Sequence, residues 1–155
     1  NQIISLDQFL ITIDRVLAKR NDLFVVARTD TTDPEDISRR AQAFERTGVD
    51  AVLIDSLTDL SLVRQIRGEV KCPLMFNQMA GGKSPTYGLS ELADAGISLV
   101  NYNAPCLFAA QTAIEETMES LKARDGNLAV FAGKQATLPS CQNVLFNNLK
   151  RRDAA

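Results

Sequence analysis

Four short polar groups, each closing an apolar run, carry the side chains in this chain that can do chemistry. They are Arg28, Thr29 and Asp30; Asp55 and Ser56; Asn77 with the loop that follows it to Pro85; and Asn101, Tyr102 and Asn103. An arginine at a strand end can grip a carboxylate through two parallel N–H donors, and an Asp or Asn beside it can orient a hydroxyl, a water or a metal. Such a set suits a small anionic substrate. The same residues also admit a plainer reading, in which Arg28 and Asp55 pair across adjacent strand ends and only satisfy one another. Spacing alone leaves both open.

The chemistry open to these groups is narrowed by what the chain lacks. Its 155 residues include no histidine, which removes Ser/His/Asp and Cys/His nucleophile pairs and imidazole zinc sites. Acid–base work must fall to carboxylates, Lys, Tyr, Cys or a metal-bound group. Cys72, Cys106 and Cys141 are odd in number and far apart, so reduced thiols in a cytoplasmic protein are expected, not a disulfide framework or a CxxC site. Cys106 is the one thiol that a helix start could activate. Gly81-Gly82-Lys83-Ser84 is similar to the end of a G-x-x-x-x-G-K-[ST] loop, but position 77 is Asn and Pro85 follows where a helix should open, which argues against a nucleotide site. The glycine amides and Lys83 still suit an anion, beside the simpler reading of a turn with a solvated lysine. A formal net charge of −2 gives no reason to bind nucleic acid. No apolar run approaches the ~20 residues that span a bilayer, and no signal peptide opens the chain, so no membrane partner is expected.

The elements that must position these groups follow from the hydrophobic pattern. Ser5 to Gln8 reads as a capping box opening a helix to about Lys19. Leu23 to Ala27 reads as a strand covered on both faces, ending at Arg28. Asp33-Pro34 caps a second helix that Gly48 terminates, with Ile37, Ala41 and Phe44 as its buried stripe. A strand at Val49–Ile54 meets Asp55, a helix covers about Leu60–Arg67, and a third strand at Pro73–Phe76 stops at Asn77. Ser90 caps a short helix closed by Gly96, and Ile97–Val100 is the fourth strand. A longer helix at about Cys106–Arg124 carries Leu107, Ala110, Ile114, Met118 and Leu121 on one face. The stretch between Asn127 and Pro139 reads as a crossing connection, and Ser140–Lys150 as a final helix.

Strand starts recur about every 25 residues, the length of one β-α unit, so the fold class is α/β with a parallel sheet. Length alone favours an open doubly wound sheet, because a complete (β/α)8 barrel needs about 250 residues.

Taken together, Phe24-Val25-Val26-Ala27-Arg28-Thr29-Asp30, Gly48-Val49-Asp50-Ala51-Val52, Pro73-Leu74-Met75-Phe76-Asn77, Gly82-Lys83-Ser84-Pro85 and Glu91-Leu92-Ala93-Asp94-Ala95-Gly96-Ile97 resemble the isocitrate lyase/phosphoenolpyruvate mutase superfamily. The order and gaps agree over about Leu6 to Gly126. The resemblance implies the second half of a (β/α)8 TIM barrel (1–126), followed by a connection and C-terminal helix (127–155) that can be swapped between subunits, and it overrides the length-based preference for an open sheet. It implies Mg²⁺ and an enolpyruvate-like intermediate.

Carried over by position, the resemblance makes Arg28 the residue that grips substrate carboxylate or phosphonate and Asp55 a shortened counterpart of the family's usual Glu, which reaches metal only through water. Asn77 matches the strand-end asparagine, and Gly82, Ser84 and Pro85 match the loop that closes on substrate. The metal carboxylates and the mobile lyase loop would precede Asn1, so the chain is expected to need an N-terminal half-barrel and to assemble as a homodimer or homotetramer. The implied activity is cleavage of a C–C bond in a small 2-hydroxy or oxo di- or tricarboxylate. A phosphonomutase or phosphonopyruvate-type P–C enzyme is the second reading, and a non-catalytic half-barrel for binding or assembly is the third.

Overall fold

A computed structural model describes residues 3–55, 57–128 and 135–153. Ser56 and positions 129–134 of the expected connection lie outside the described residues. The chain divides into two units, Asn1–Pro105 and Cys106–Ala155.

In the first unit the elements run α1 (Leu6–Leu17), β1 (Val26–Thr29), α2 (Pro34–Thr47), β2 (Ala51–Ile54), α3 (Leu60–Glu69), β3 (Leu74–Gln78), α4 (Leu89–Asp94) and β4 (Ile97–Tyr102). The four strands form one parallel sheet in the order β1-β2-β3-β4. That order decides between the two architectures. An open doubly wound sheet reverses direction at a switch point, so its strand order is permuted, whereas a (β/α)8 barrel adds each strand beside the last. Successive right-handed crossovers then set each helix that joins two of these strands on the same side of the sheet. The sheet therefore has the layout of four consecutive barrel units.

One face of the sheet is dry. Ala27 of β1, Val52 and Ile54 of β2, and Leu74 and Phe76 of β3 join Ile37, Ala41 and Phe44 of α2 and Val63 and Ile66 of α3 in a single core. Phe9 of α1 meets Phe44 edge to face at 5.3 Å, which anchors α1 on α2. Ser5 accepts from the Gln8 N–H at the start of α1 (3.4 Å) and Asp33 from the Glu35 N–H at the start of α2 (3.1 Å), each satisfying a first-turn amide. Gly48 ends α2 at φ 84°, a left-handed conformation that a Cβ would oppose. Arg40, 5% exposed, is satisfied by Asp36 Oδ2 (2.8 Å) and the Ile4 carbonyl (2.9 Å), so the N-terminal segment is tied to α2.

Strand residues alternate between faces, so Arg28, Leu53, Met75 and Leu99 share the other face, paired across the sheet as Arg28↔Leu53, Leu53↔Met75 and Met75↔Leu99. Between β3 and β4 the register jumps: Leu74 pairs with Ile97 and Met75 with Leu99. Ser98 is an extra residue, a β-bulge. Because of it Ile97 and Val100, three apart, both pack against the core, and Asn77 pairs with Asn101 where an unbroken register would have brought Val100.

Several boundaries differ from the sequence reading. β1 starts at Val26, two to three residues late, and Leu23 and Phe24 are 70% and 61% exposed, so the strand is not covered on both faces over the expected span. Its own polar end, Arg28 and Thr29, belongs to the ladder. β3 and β4 likewise run through Asn77 and through Asn101 and Tyr102, since parallel pairing continues past the last apolar residue. The cap of α4 is Gly88, whose N–H is held by Glu91 Oε2 at 2.7 Å, and not Ser90.

The second unit contains α5 (Pro105–Ala123) and α6 (Leu138–Asp153). Neither carries a buried residue: Leu107, Ile114 and Met118 of α5 and Val144, Leu145 and Phe146 of α6 are all exposed. Among the described residues no helix is long and apolar enough to cross a membrane.

Two measurements check this packing. Phe44 is fully buried, so Phe44→Ala should cost about 3–5 kcal/mol in urea unfolding, the usual loss for a truncated core aromatic. Glu45 accepts the Cys72 N–H at 2.7 Å and also the Lys71 N–H, and these two amides hold its carboxyl below the ordinary carboxylate range. A depressed folded-state pKa contributes stability that is present above the unfolded value and lost as pH falls through the folded one. Glu45→Ala should therefore cost about 1 kcal/mol at neutral pH, and the gap from wild type should shrink as pH drops below about 4.

Candidate functional site

The side chains that the strand-end argument singled out converge at the carboxyl ends of β1, β2 and β3. Arg28 lies on the polar face of β1, and two residues further on Asp30 shares that face. The Arg28 guanidinium is forked onto Asp30, with Nε donating to Oδ1 at 2.6 Å and Nη2 to Oδ2 at 2.9 Å. Nη2 also donates to Asp55 Oδ2 at 2.8 Å. One cation thus spans two carboxylates from adjacent strand ends.

The chain of contacts continues along the sheet. Asp55 Oδ1 accepts from Asn77 Nδ2 at 3.1 Å, and Asn77 Oδ1 accepts from Asn101 Nδ2 at 2.9 Å. Every strand of the sheet contributes one member. The plainer reading of Arg28 and Asp55 as an ion pair is realised, and it coexists with a cavity beside them. That cavity, about 130 Å³, is lined by Asp55, Asn77, Met79, Gly82, Lys83 and Ser84.

The loop that walls the cavity is held at both ends. The Gly82 N–H donates to the Met79 carbonyl at 3.0 Å, and a Cβ on Gly82 would meet that oxygen at 3.0 Å and the Met79 Cβ at 3.3 Å, so a larger residue would require the turn to shift by a few tenths of an ångström. Gly82's amide is therefore spent within the loop and not held out to an anion. At the far end Gln78 Oε1 accepts the Tyr87 N–H at 3.0 Å, the Tyr87 hydroxyl donates to the Thr58 carbonyl at 3.2 Å, and the ring packs edge-on to Phe76 at 5.9 Å. Lys83 and Ser84 are left as the loop's polar groups facing the cavity, while Pro85 is exposed and does not line it.

Electrostatics follow from this geometry. The Arg28 hydrogen bonds, with a smaller contribution from Lys83, hold the Asp30 carboxyl below the ordinary range, and the Arg28 guanidinium is raised chiefly by Asp30 and further by Asp55. The Arg28 side chain is 50% exposed, not buried as a strand-end grip would suggest. Its Nε–Nη2 edge is committed to the two carboxylates, so the Nη1 side is the part left for a ligand. Among the described residues no group of three Cys, Asp or Glu side chains is arranged to hold a metal ion, and the two carboxylates nearest the cavity are taken up by Arg28 and Asn77. These residues on their own do not fit a Mg²⁺ site.

The sequence names three further contributors without singling them out from their neighbours. Asp30 was one of several strand-end polar residues until its fork onto Arg28 set it apart, although two residues' separation along a strand is itself a same-face signal. Lys83 was read as solvated or anion-binding in equal measure, and it lines the cavity. Asn101 reaches the row only through the bulge at Ser98, which no spacing rule shows. Tyr102 and Cys106 are exposed, and all three cysteines are free thiols.

Comparison with known proteins places this geometry in a family. A 2-methylisocitrate lyase of Shewanella oneidensis is 28% identical over 124 residues, covering 77% of this chain and 42% of the relative. A crystal structure of 2,3-dimethylmalate lyase, a member of the PEP mutase/isocitrate lyase superfamily, superposes with TM-score 0.82 at 25% identity, over 98% of this chain and 55% of that one. A phosphonopyruvate hydrolase solved with oxalate and Mg²⁺ shares the fold, with TM-score 0.80 at 22% identity, over 97% of this chain and 55% of that one. The chain thus spans less than half the length of that curated relative and about half of each structure. The family described as phosphoenolpyruvate phosphomutase matches residues 1–122, most of the chain, and the protein belongs to that family of lyases and mutases.

Proposed function

We propose that this chain forms the substrate-orienting part of a carbon–carbon lyase that cleaves a small 2-hydroxy or oxo di- or tricarboxylate through an enolpyruvate-like intermediate. The observation that carries the reading is the Arg28–Asp55–Asn77 row beside a cavity that also presents Lys83 and Ser84. Arg28 Nη1 and the Lys83 ammonium offer charge to substrate carboxylate groups, and Asp55, held by donors on both oxygens, orients a hydroxyl or water. Asn77 fixes Asp55. Donors aimed at an oxygen that gains charge as the C–C bond breaks stabilise that charge more than they stabilise the ground state. Ser84, on the loop that walls the cavity, would help exclude water from it.

Mg²⁺ is the cofactor we propose for the whole enzyme, where it would neutralise charge on the oxo-acid end. Since the described residues do not fit it, its ligands would come from elsewhere in the enzyme, together with four further β-α units. We place the enzyme in the cytoplasm on its three free thiols, and as a homodimer or homotetramer on the exposed apolar residues of α6. The second reading, P–C bond chemistry on a phosphonate, is favoured by the same Arg28 and Lys83, because a phosphonate takes the same donors as a carboxylate.

Two experiments test the reading. In the whole enzyme Arg28→Ala should fold normally and lose kcat/KM for the accepted substrate by at least about 100-fold, the scale for a lost oxyanion donor. Unchanged kcat/KM in the folded variant would remove Arg28 from the site. Assays of 2-hydroxy di- and tricarboxylates beside phosphonopyruvate separate the two readings. Second, carbon-detected NMR should show the Asp30 carboxyl titrating below the ordinary range in wild type and returning towards it in Arg28→Ala. Whatever stability this pair contributes is present above the unfolded-state value and disappears as pH falls through the lowered one.

A further inference from the structure

The row of side chains has a direction. An ionised carboxylate only accepts, so Asp55 obliges Asn77 to turn its NH2 towards it. Asn77 Oδ1 must then point the other way, along the sheet, and there it meets Asn101 Nδ2 at 2.9 Å. Only a donor at position 101 is compatible with that arrangement. The donor is delivered by the bulge: with an unbroken register Val100 would stand opposite Asn77, and Val100 instead packs against the core. A register irregularity and a side-chain hydrogen bond thus serve the same residue.

We propose that Asn101 is a positioning residue for the reaction, which fixes the amide orientation of Asn77 and through it the placement of Asp55 at the cavity. This deepens the reading given above and rests on it. Without a donor at 101 the Asn77 amide is held at its NH2 end alone, by Asp55. An acceptor there competes with Asp55 for the same NH2, so Asn77 Oδ1 faces a carboxylate oxygen whichever way the amide turns, and the 3.1 Å hydrogen bond to Asp55 Oδ1 is weakened or lost.

Asn101→Asp tests this, because the introduced carboxyl is close in shape and changes role with protonation. Ionised, it only accepts and competes with Asp55 for the Asn77 NH2; protonated, it donates and restores the native direction. The other ionisable groups at this end are Asp55 at the β2 end, Arg28 and Asp30 on β1, and Lys83 on the loop, and wild type run over the same pH range carries all of them. In the chain labelled with ¹⁵N and ¹³C, the Asn77 side-chain amide resonances should move from their wild-type positions at pH 7 in Asn101→Asp and return towards them as pH falls to 4. Resonances that follow wild type at every pH overturn the proposal.

Wild type alone gives a check that needs no folded variant: a through-hydrogen-bond coupling from the Asn101 side-chain nitrogen to the Asn77 side-chain carbonyl carbon is expected, and a coupling in the opposite sense overturns the proposal. In the whole enzyme, Asn101→Asp should lower kcat at least 10-fold at pH 7 with a smaller change in KM, and recover relative to wild type at lower pH. A pH-independent loss would mark a merely structural role and overturn it. Arg28→Ala assayed alongside separates the failures: if both variants are fully active the reading of the site falls and this proposal with it, whereas if only the Asn101 variant is fully active this proposal alone falls.

Discussion

A parallel strand must send its side chains alternately to two faces, and this molecule depends on how those faces are assigned. Covering one face with α2 and α3 commits Ala27, Val52, Ile54, Leu74 and Phe76 to a dry core. The residues between them are then free of the core's demand for apolar chemistry, and towards the carboxyl ends of the strands they become polar: Arg28, Asp55, Asn77, Asn101. The helices that stabilise the sheet and the row that could act on a ligand are two outcomes of one alternation. Sequential strand order adds the second requirement, because it keeps the crossover helices α2, α3 and α4 on one side of the sheet, away from the row.

Within the row, charge is arranged so that each member limits its neighbour. Two carboxylates at adjacent strand ends would repel, and one guanidinium bridging both offsets that repulsion. The cost is borne by Arg28, which commits one edge of its fork and keeps the other. Asp55 likewise accepts one hydrogen bond on each oxygen, which holds the carboxylate in place and leaves lone pairs to orient a ligand. The pair is half exposed, so its electrostatic contribution to stability is small, and its value lies in geometry.

Much of this was legible in the sequence, for identifiable reasons. The alternation of helix and strand follows from period and from caps such as Asp33-Pro34 and Gly48, which act locally. Arg28, Asp55 and Asn77 were legible because each ends an apolar run, and a parallel sheet brings such ends together. What escaped depends on pairing between distant segments. Leu23 and Phe24 read as strand because they are apolar, yet no neighbouring strand pairs with them here, so the ladder starts at Val26. The choice between open sheet and barrel could not come from length, and the resemblance made it before the strand order did. Asn101 could not be assigned to Asn77 by counting, because counting assumes an unbroken ladder.

The extra residue in β4 works like a frame shift in the reading of the strand. Ser98 is exposed, so the identity of its side chain matters little, yet the ladder's skipping it decides which of Val100 and Asn101 stands opposite Asn77. Substitution there leaves the frame intact, whereas drawing Ser98 into the ladder opposite Met75 would exchange polar for apolar along the rest of the strand. The composition of this site is therefore encoded partly in the pairing register between Ile97 and Asn101, and a comparison that counts residues along β4 as an unbroken ladder would assign Val100 to the row.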